Sequence, residues 1–405
     1  MLRREGHMTD IDIELRSREL FDLYAGLGDT TAVLEEEPAV DPRTGKPLEE
    51  IYGASQWRLI WRKFRRNKMA LAGGVVILLF YLGALFADFI SPYTLTTRFT
   101  KSIFMSPQRI HLFNEGRFQP FVYDLQQEFD ESLRRRYVLD PEKKTFIQLF
   151  ARGEPYKLLG LIPADVHLFQ GSNGQPVALL GTDRQGRDMF SRILLGSQIS
   201  LTIGLVGVIL SLVLGTVLGI SSGYYGGTAD NIIQRAIELI RAFPSIPLWM
   251  ALSAAIPLAW SVIQTYFAIS IILSLIGWTW LARQLRGQVL ALRNADYVRA
   301  ARLAGASDRW IIFRHLVPAT MGQIIVVATL AMPSMILAET ALSFLGLGLR
   351  PPVTSWGVLI QEAQNYQSLA LYPWVFTPAV AIAICILAFN YLGDGLRDAV
   401  DPYTV

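Results

Sequence analysis

Apolar runs separated by short charged stretches organise most of this chain. The first run, MALAGGVVILLFYLGALFADFI, covers residues 69–90. No charge falls between Ile193 and Ala229, and the pattern predicts a helix over 198–220. The next uncharged run, 242–282, is 41 residues long. A crossing takes about 20 apolar residues, so two crossings with a turn near IPLAWS fit there only tightly. The third helix is therefore predicted to start earlier and take in NIIQRAIELIRAF, with the fourth over 261–281. A fifth is predicted over 319–341 and a sixth over 373–394. Pro244, Pro247 and Pro333 predict kinks, which neighbouring groups can satisfy in membrane helices. The expected fold class is an all-α polytopic membrane protein with six transmembrane helices.

The pattern changes over 91–180. Short apolar runs alternate with charge and turns in RIHLFNEGRFQPFVYDL and KTFIQLFARGEPYKLLGLIPADVHLF. This predicts a small mixed extracytoplasmic insertion between helices 1 and 2. Its aromatic residues Phe104, Phe113, Phe118, Phe121, Tyr123 and Phe129 read better as a small core than as a peptide-binding face.

Charge gives the orientation. WRLIWRKFRRNK carries six Lys/Arg in twelve residues just before the first run. Residues 282–316 carry seven Arg and two Asp. Positive charge in short loops marks the cytoplasmic side. GLGLRPPVTSWGVLIQEAQNYQSLALYP, with one basic residue, reads as outside. Both termini are thus expected in the cytoplasm. The expected divisions are a cytoplasmic, disordered arm over 1–56, an interfacial segment and helix 1 over 57–90, the insertion over 91–180, a membrane core over 181–397 with a loop at 282–317, and a cytoplasmic tail over 398–405. The arm carries one short amphipathic candidate near Ile11–Leu23 and shows no signal sequence. Translation can begin at Met1 or Met8.

Composition agrees. Of 405 residues, 52% are hydrophobic and 18% charged, against about 25% charged in soluble domains, and mean hydropathy is +0.33. The net charge of +3 says less than its distribution. A single cysteine, Cys385, precludes a disulfide within the chain and a thiol zinc site.

Residues 296–320, DYVRAARLAGASDRWIIFRHLVPAT, interrupt the apolar pattern. Residues 295–304 favour helix. Gly305 suits the C′ position, where positive φ is needed. Ser307 suits an N-cap for a second helix over 308–316. Pro318 suits the first turn of the fifth span, where no amide donor is required. Ala300, Ala301 and Ala304 give a surface another protein can approach closely. A basic interfacial helix meeting lipid phosphates is the other reading of these features.

The spacing resembles the EAA loop of ABC importer permeases: Glu-Ala-Ala, three residues, Gly, nine residues, Ile, any residue, Leu-Pro. Ala300, Ala301, Gly305 and Pro318 match, while Arg299, His315 and Val317 stand at the Glu, Ile and Leu positions. LLGTDRQGRDMFSRILLGSQISL, ETALSFLGLGLRPPVTSWG and NYLGDGLRDAVDP resemble the C-type permease subunits of dipeptide, oligopeptide and nickel importers. The resemblance covers 57–90 and 178–405, and the insertion looks longer than is usual.

The resemblance implies a type I importer permease in a bacterial inner membrane. It implies four kinds of partner: a homologous second permease, two cytoplasmic ATPases, an extracytoplasmic solute-binding protein, and the bilayer. Arg299, Ala300, Ala301, Ala304, Gly305, Ser307 and Pro318 would couple to an ATPase. Peptides are the implied solute; nickel, oligosaccharides or opine-like solutes are alternatives. ATP and Mg would sit on the partner ATPases.

The residues themselves offer no ATP chemistry. No G-x-x-x-x-G-K-[ST] occurs, and TGKP lacks its spacing. No G-x-S-x-G or Cys/His cluster occurs. No catalytic, cofactor or metal residue is expected, nor a nucleic-acid partner. A stand-alone secondary transporter would show paired repeats, which the halves lack. A membrane enzyme built on the insertion has no acid–base set to support it.

Intramembrane charges default to function. Glu238, Arg241 and Glu339 are candidates for the path or gate, against an interfacial ion pair for the first two and a support for the SFLGLG turn for Glu339. Asp183, Arg187 and Asp188 are candidates for a binding-protein contact. Asp188 and Arg192 stand at i, i+4, the spacing of a helical ion pair.

Overall fold

The computed structural model describes residues 56–129, 131, 135–350, 353–364 and 370–400. The expectations for the arm before Gln56 and for the last five residues of the tail lie outside these. The chain divides at Leu59/Ile60, and the architecture below, from the second turn of the first helix onward, belongs to the second unit.

Helix α1 (Gln56–Arg66) ends in Lys63, Arg65 and Arg66. Helix α2 (Lys68–Leu85) starts where the Asn67 side chain accepts the Ala70 amide at 3.1 Å. A single turn, α3 (Ala87–Ile90), follows. The insertion is a four-stranded antiparallel meander in order β1-β2-β3-β4: His111–Asn114, Arg117–Phe129, Arg135–Leu158 and Ile162–Gly171. Strand β3 pairs first with β2, from Phe129↔Arg135 to Phe121↔Phe146, and then with β4, from Ile147↔Gly171 to Leu158↔Ile162. Glu115 and Gly116, both at positive φ, make the tight β1–β2 turn that such hairpins favour. Where a mixed domain is expected, the described residues form sheet with one 3₁₀ turn at Ser172–Gly174.

The sheet's core is small: Val122, Phe169 and Val177 pack with Ile147, Leu179 and Phe190. Of the six insertion aromatics only Phe121 is buried; Phe104 and Tyr123 are half-buried, and Phe113, Phe118 and Phe129 are exposed. The aromatic-core expectation therefore holds in part. Two thin hairpins do not enclose enough volume for six rings.

Among the described residues, five helical segments are long and apolar enough to cross a bilayer: Lys68–Leu85, Met189–Tyr225, Val262–Leu292, Asp308–Phe344 and Pro373–Val400. We name α4 (Met189–Tyr225), α7 (Val262–Leu292), α10 (Val317–Phe344) and α12 (Thr377–Val400) accordingly. The third expected crossing is not one helix. It is an amphipathic α5 (Gly227–Arg241) and an apolar α6 (Ser245–Ala254). The break falls at Pro244, whose φ of −59° and ψ of 133° are extended. Proline lacks the amide a continuing helix needs and drives the preceding residue out of the α region. Ten residues rise about 15 Å, half of a hydrocarbon core. Pro333, by contrast, lies inside α10, and the helix runs through it.

The main core draws Leu201 and Ile203 from α4, Ile269 and Leu273 from α7, Met335 and Ile336 from α10, and Cys385 and Phe389 from α12. Exposed apolar side chains such as Leu78, Leu79, Val213, Val217, Ile271 and Val380 form the outward surface. The most extensive helix packing is α4 on α7. A Cβ added at Gly215, Gly219 or Gly223 would come within 2.9, 2.7 and 2.8 Å of the carbonyl oxygens of Trp278, Ala282 and Arg286. Small residues every fourth position let two membrane helices approach backbone to backbone, where apolar burial gives no drive.

Candidate functional site

The interrupted stretch 296–320 folds as a compact element at one end of α4. Helix α8 (Asp296–Leu303) is followed by Gly305 at φ +81°, and Ser307 accepts the Trp310 amide to start α9 (Asp308–Ile311). A π turn, Ile312–Leu316, leads straight into α10, with Pro318 in its first turn. The predicted second helix and fifth span are thus one helical run. Val298, Ile311 and Leu316 are fully buried against Ile220 and Tyr224 of α4 and Leu285 and Val289 of α7. Arg299, Ala300 and Ala304 are exposed, and Ala301 is half-buried. Leu303 is 90% exposed, and Phe313 73%. One face of the element is anchored; the other offers small and apolar groups outward.

Polar bonds complete the anchor. Tyr224 donates its hydroxyl to Asp308 Oδ1 at 2.6 Å, and accepts from Arg302 Nη2 at 3.3 Å. Arg286 holds Asp230 with two bonds, 2.6 and 2.7 Å, and Ser222 donates to the same carboxylate. These bonds, Arg286 first, hold the Asp230 carboxyl below the usual range despite partial burial. Arg293 donates to the Gly223 carbonyl at 3.2 Å. The end of α4, the start of α5, the end of α7 and the α8–α9 element are therefore tied together.

At the other end of α4, four charges form a buried cluster. Arg192 Nη1 donates to Asp183 Oδ2 at 2.6 Å and to Glu362 Oε2 at 2.7 Å, and Nη2 to Glu362 Oε1 at 3.0 Å. Arg187 donates to Asp183 Oδ2 at 2.7 Å and to Glu362 Oε2 at 2.6 Å. Glu362 closes α11 (Trp356–Glu362). Burial raises its pKa, but the two guanidiniums more than offset this and hold the carboxyl below the usual range. Asp188 is not the partner of Arg192 that the i, i+4 spacing suggests. It is the N-cap of α4, accepting the Ser191 amide and hydroxyl at 2.7 Å each. Burial pushes its pKa up to about 6, against those bonds. The N-cap position outcompetes the ion pair because α4 has unsatisfied amides at its start. Asp183, Arg187 and Asp188 are all buried, turned inward rather than presented as a contact surface.

Glu339 is also fully buried. Ser343 donates to its Oε1 at 2.8 Å and Ser200 to its Oε2 at 3.3 Å, while Ser200 Oγ accepts the Trp356 amide at 3.0 Å. It joins α4, α10 and the start of α11. Glu238 pairs with Arg235 at 2.7 Å on the surface of α5, not with Arg241. Arg241 lies over the Trp280 ring at 5.7 Å. Among the described residues no group of three or more His, Cys, Asp or Glu could hold a metal.

Sequence reasoning missed Tyr224, Asp230, Arg286 and Glu362. Their signal was available in principle: buried charge in a charge-poor membrane chain needs a partner, and those partners lie tens to hundreds of residues away.

Residues 215–404 match the family described as binding-protein-dependent transport system inner membrane component, and residues 55–107 match the N-terminal TM domain of oligopeptide transport permease C. The glutathione transport system permease protein GsiD of Pectobacterium atrosepticum is 33% identical over 346 residues, 85% of this chain and 91% of that protein. The oligopeptide transport system permease protein OppC of Bacillus subtilis is 32% identical over 349 residues, 86% and 90%. OppC of Haemophilus influenzae is 40% identical over 223 residues, 55% and 69%. Similarity at this level across nearly the full length of two such proteins settles the family: the chain belongs to the binding-protein-dependent transport system inner membrane components.

Proposed function

We propose that this multi-pass inner-membrane protein is one half of the translocation path of an ATP-driven peptide importer. A homologous second permease would supply the other half, and a binding protein would deliver the peptide from outside. The loop charges support an orientation with the α8–α9 element in the cytoplasm and the sheet outside. Two ATPase subunits would supply ATP binding and hydrolysis, since this chain carries no phosphate-binding loop.

The observation that carries the reading is the two-faced α8–α9 element. Its buried face is fixed to α4 and α7 by Val298, Ile311, Leu316 and Tyr224. Its outward face shows Ala300, Ala304 and Leu303 around a glycine turn. A compact element with one face anchored and one free can receive a push and pass it on. The peptide assignment rests on the names of the relatives, which carry oligopeptide and glutathione transport.

The test is co-purification. Leu303→Asp places a charge at the centre of the free face without touching the anchored one. The expected result is loss of bound ATPase subunits and of ATP-driven peptide uptake, with an unchanged melting temperature. Full co-purification and uptake by this variant would overturn the docking role.

A further inference from the structure

At the sheet-bearing end of the bundle, the turn between α6 and α7 faces the segment that follows α10. Between them lies a cavity of about 220 Å³. Ile256, Leu258, Trp260 and Leu347 give it apolar walls, and Ser253 and Arg350 are its polar groups at issue. Arg350 is the one basic residue between Leu345 and Pro373. Among the described residues nothing bonds to its guanidinium, and no acid lines the cavity. Ser253 is 5% exposed, yet its Oγ has no hydrogen-bond partner. A serine on a membrane helix ordinarily donates to a carbonyl one turn back, as Ser270 does to Tyr266 at 3.0 Å.

We propose that this cavity binds the C-terminal carboxylate of the transported peptide, an inference that rests on the peptide reading above. A guanidinium presents a planar fork that matches the two oxygens of a carboxylate. The Ser253 hydroxyl supplies a further donor from the buried wall. The apolar sides suit the side chain of the terminal residue, in the usual pattern of an apolar pocket with few placed polar groups. The volume holds the end of a peptide rather than the whole. On the proposed orientation the cavity opens outside, where a binding protein would release its load.

The chain's own chemistry makes the test specific. Its single cysteine, Cys385, is buried, and Leu258 is 76% exposed on the cavity wall. Leu258→Cys therefore introduces one accessible thiol, whose maleimide labelling is followed in the full-length protein in phosphatidylcholine nanodiscs. A tripeptide of apolar residues with a free C-terminus should slow labelling, and its C-terminal amide should do so about tenfold less well at equal concentration. Adding Arg350→Gln should erase that difference, and Arg350→Lys should restore part of it. Equal protection by acid and amide, or protection unaffected by Arg350→Gln, overturns the proposal. So does shielding that appears in phosphatidylglycerol nanodiscs before any peptide is added, which would assign the cavity to lipid phosphate. Uptake of the same tripeptide by the assembled transporter reads the peptide function separately. Uptake without selective protection sinks only the cavity; no uptake of any peptide sinks both.

Discussion

Removing Arg192 should cost more stability than any other single change in the buried charge cluster. Its guanidinium makes three bonds of 2.6–3.0 Å to Asp183 and Glu362. Two carboxylates there balance two guanidiniums. Arg192→Met leaves both carboxylates facing Arg187 alone, one negative charge in excess within a site where Arg192 and Asp183 are almost wholly buried. Breaking such a pair from one side costs about 3–5 kcal/mol. Glu362 keeps 22% side-chain exposure, which places the expected loss near the lower end, about 3 kcal/mol. Glu362→Gln alone leaves a positive excess and loses charge-assisted bonds, about 2 kcal/mol. The double variant restores balance, with Asp183 and Arg187 as a neutral pair. Its loss should therefore fall short of the sum by about 1–3 kcal/mol. Thermal unfolding of the purified protein in detergent, read by circular dichroism, measures all three. Strict additivity would refute the network, because independent charges have nothing to restore.

Two further outcomes follow from the same structure. Asp188, raised to about 6 by burial, is a carboxyl that the folded state prefers protonated. Its folded value lies above an unfolded value near 3.9, so it lowers stability progressively as pH rises from about 4 to 6. Asp188→Asn keeps the N-cap, should flatten that part of the stability profile and should gain about 3 kcal/mol at pH 7; an unchanged difference between variant and wild type from pH 4 to 7 would contradict the assignment. On the helix seam, Gly219→Ala forces a methyl onto the Ala282 backbone at 2.7 Å, while at Gly287 a Cβ meets nothing within 4 Å. The first should lose about 1–3 kcal/mol by overpacking and the second should gain up to about 1 kcal/mol from helix propensity; melting temperatures that move together would mean the seam is not close-packed.

The helices were readable in the sequence because lipid demands long apolar runs and leaves little else to choose. The break at Pro244 was not, because a proline in a membrane segment can either kink or stop a helix and only the backbone decides which. The glycine turn and serine cap of the 296–320 element were legible as local chemistry. Its anchor was not. Tyr224 lies in SSGYYGG, which reads as a return loop, yet its hydroxyl meets Asp308, 84 positions later. Likewise Asp188 and Arg192 have the spacing of a helical ion pair, but that spacing applies only inside a helix, and Asp188 stands just before one. Glu362 meets Arg192 across 170 positions, a distance at which pattern reading has no purchase.

Helix α4 has a consequence for motion. At 37 residues it is a rod of about 55 Å, and its glycine seam presses it to α7. One end is gripped by Tyr224, Arg302 and Asp308, the other by the Asp183–Arg187–Arg192–Glu362 knot. A rod so held behaves as a lever: a tilt of about 5° about one end sweeps the other through about 5 Å. A small rotation where the α8–α9 element sits is therefore delivered, nearly intact, to the opposite mouth of the molecule.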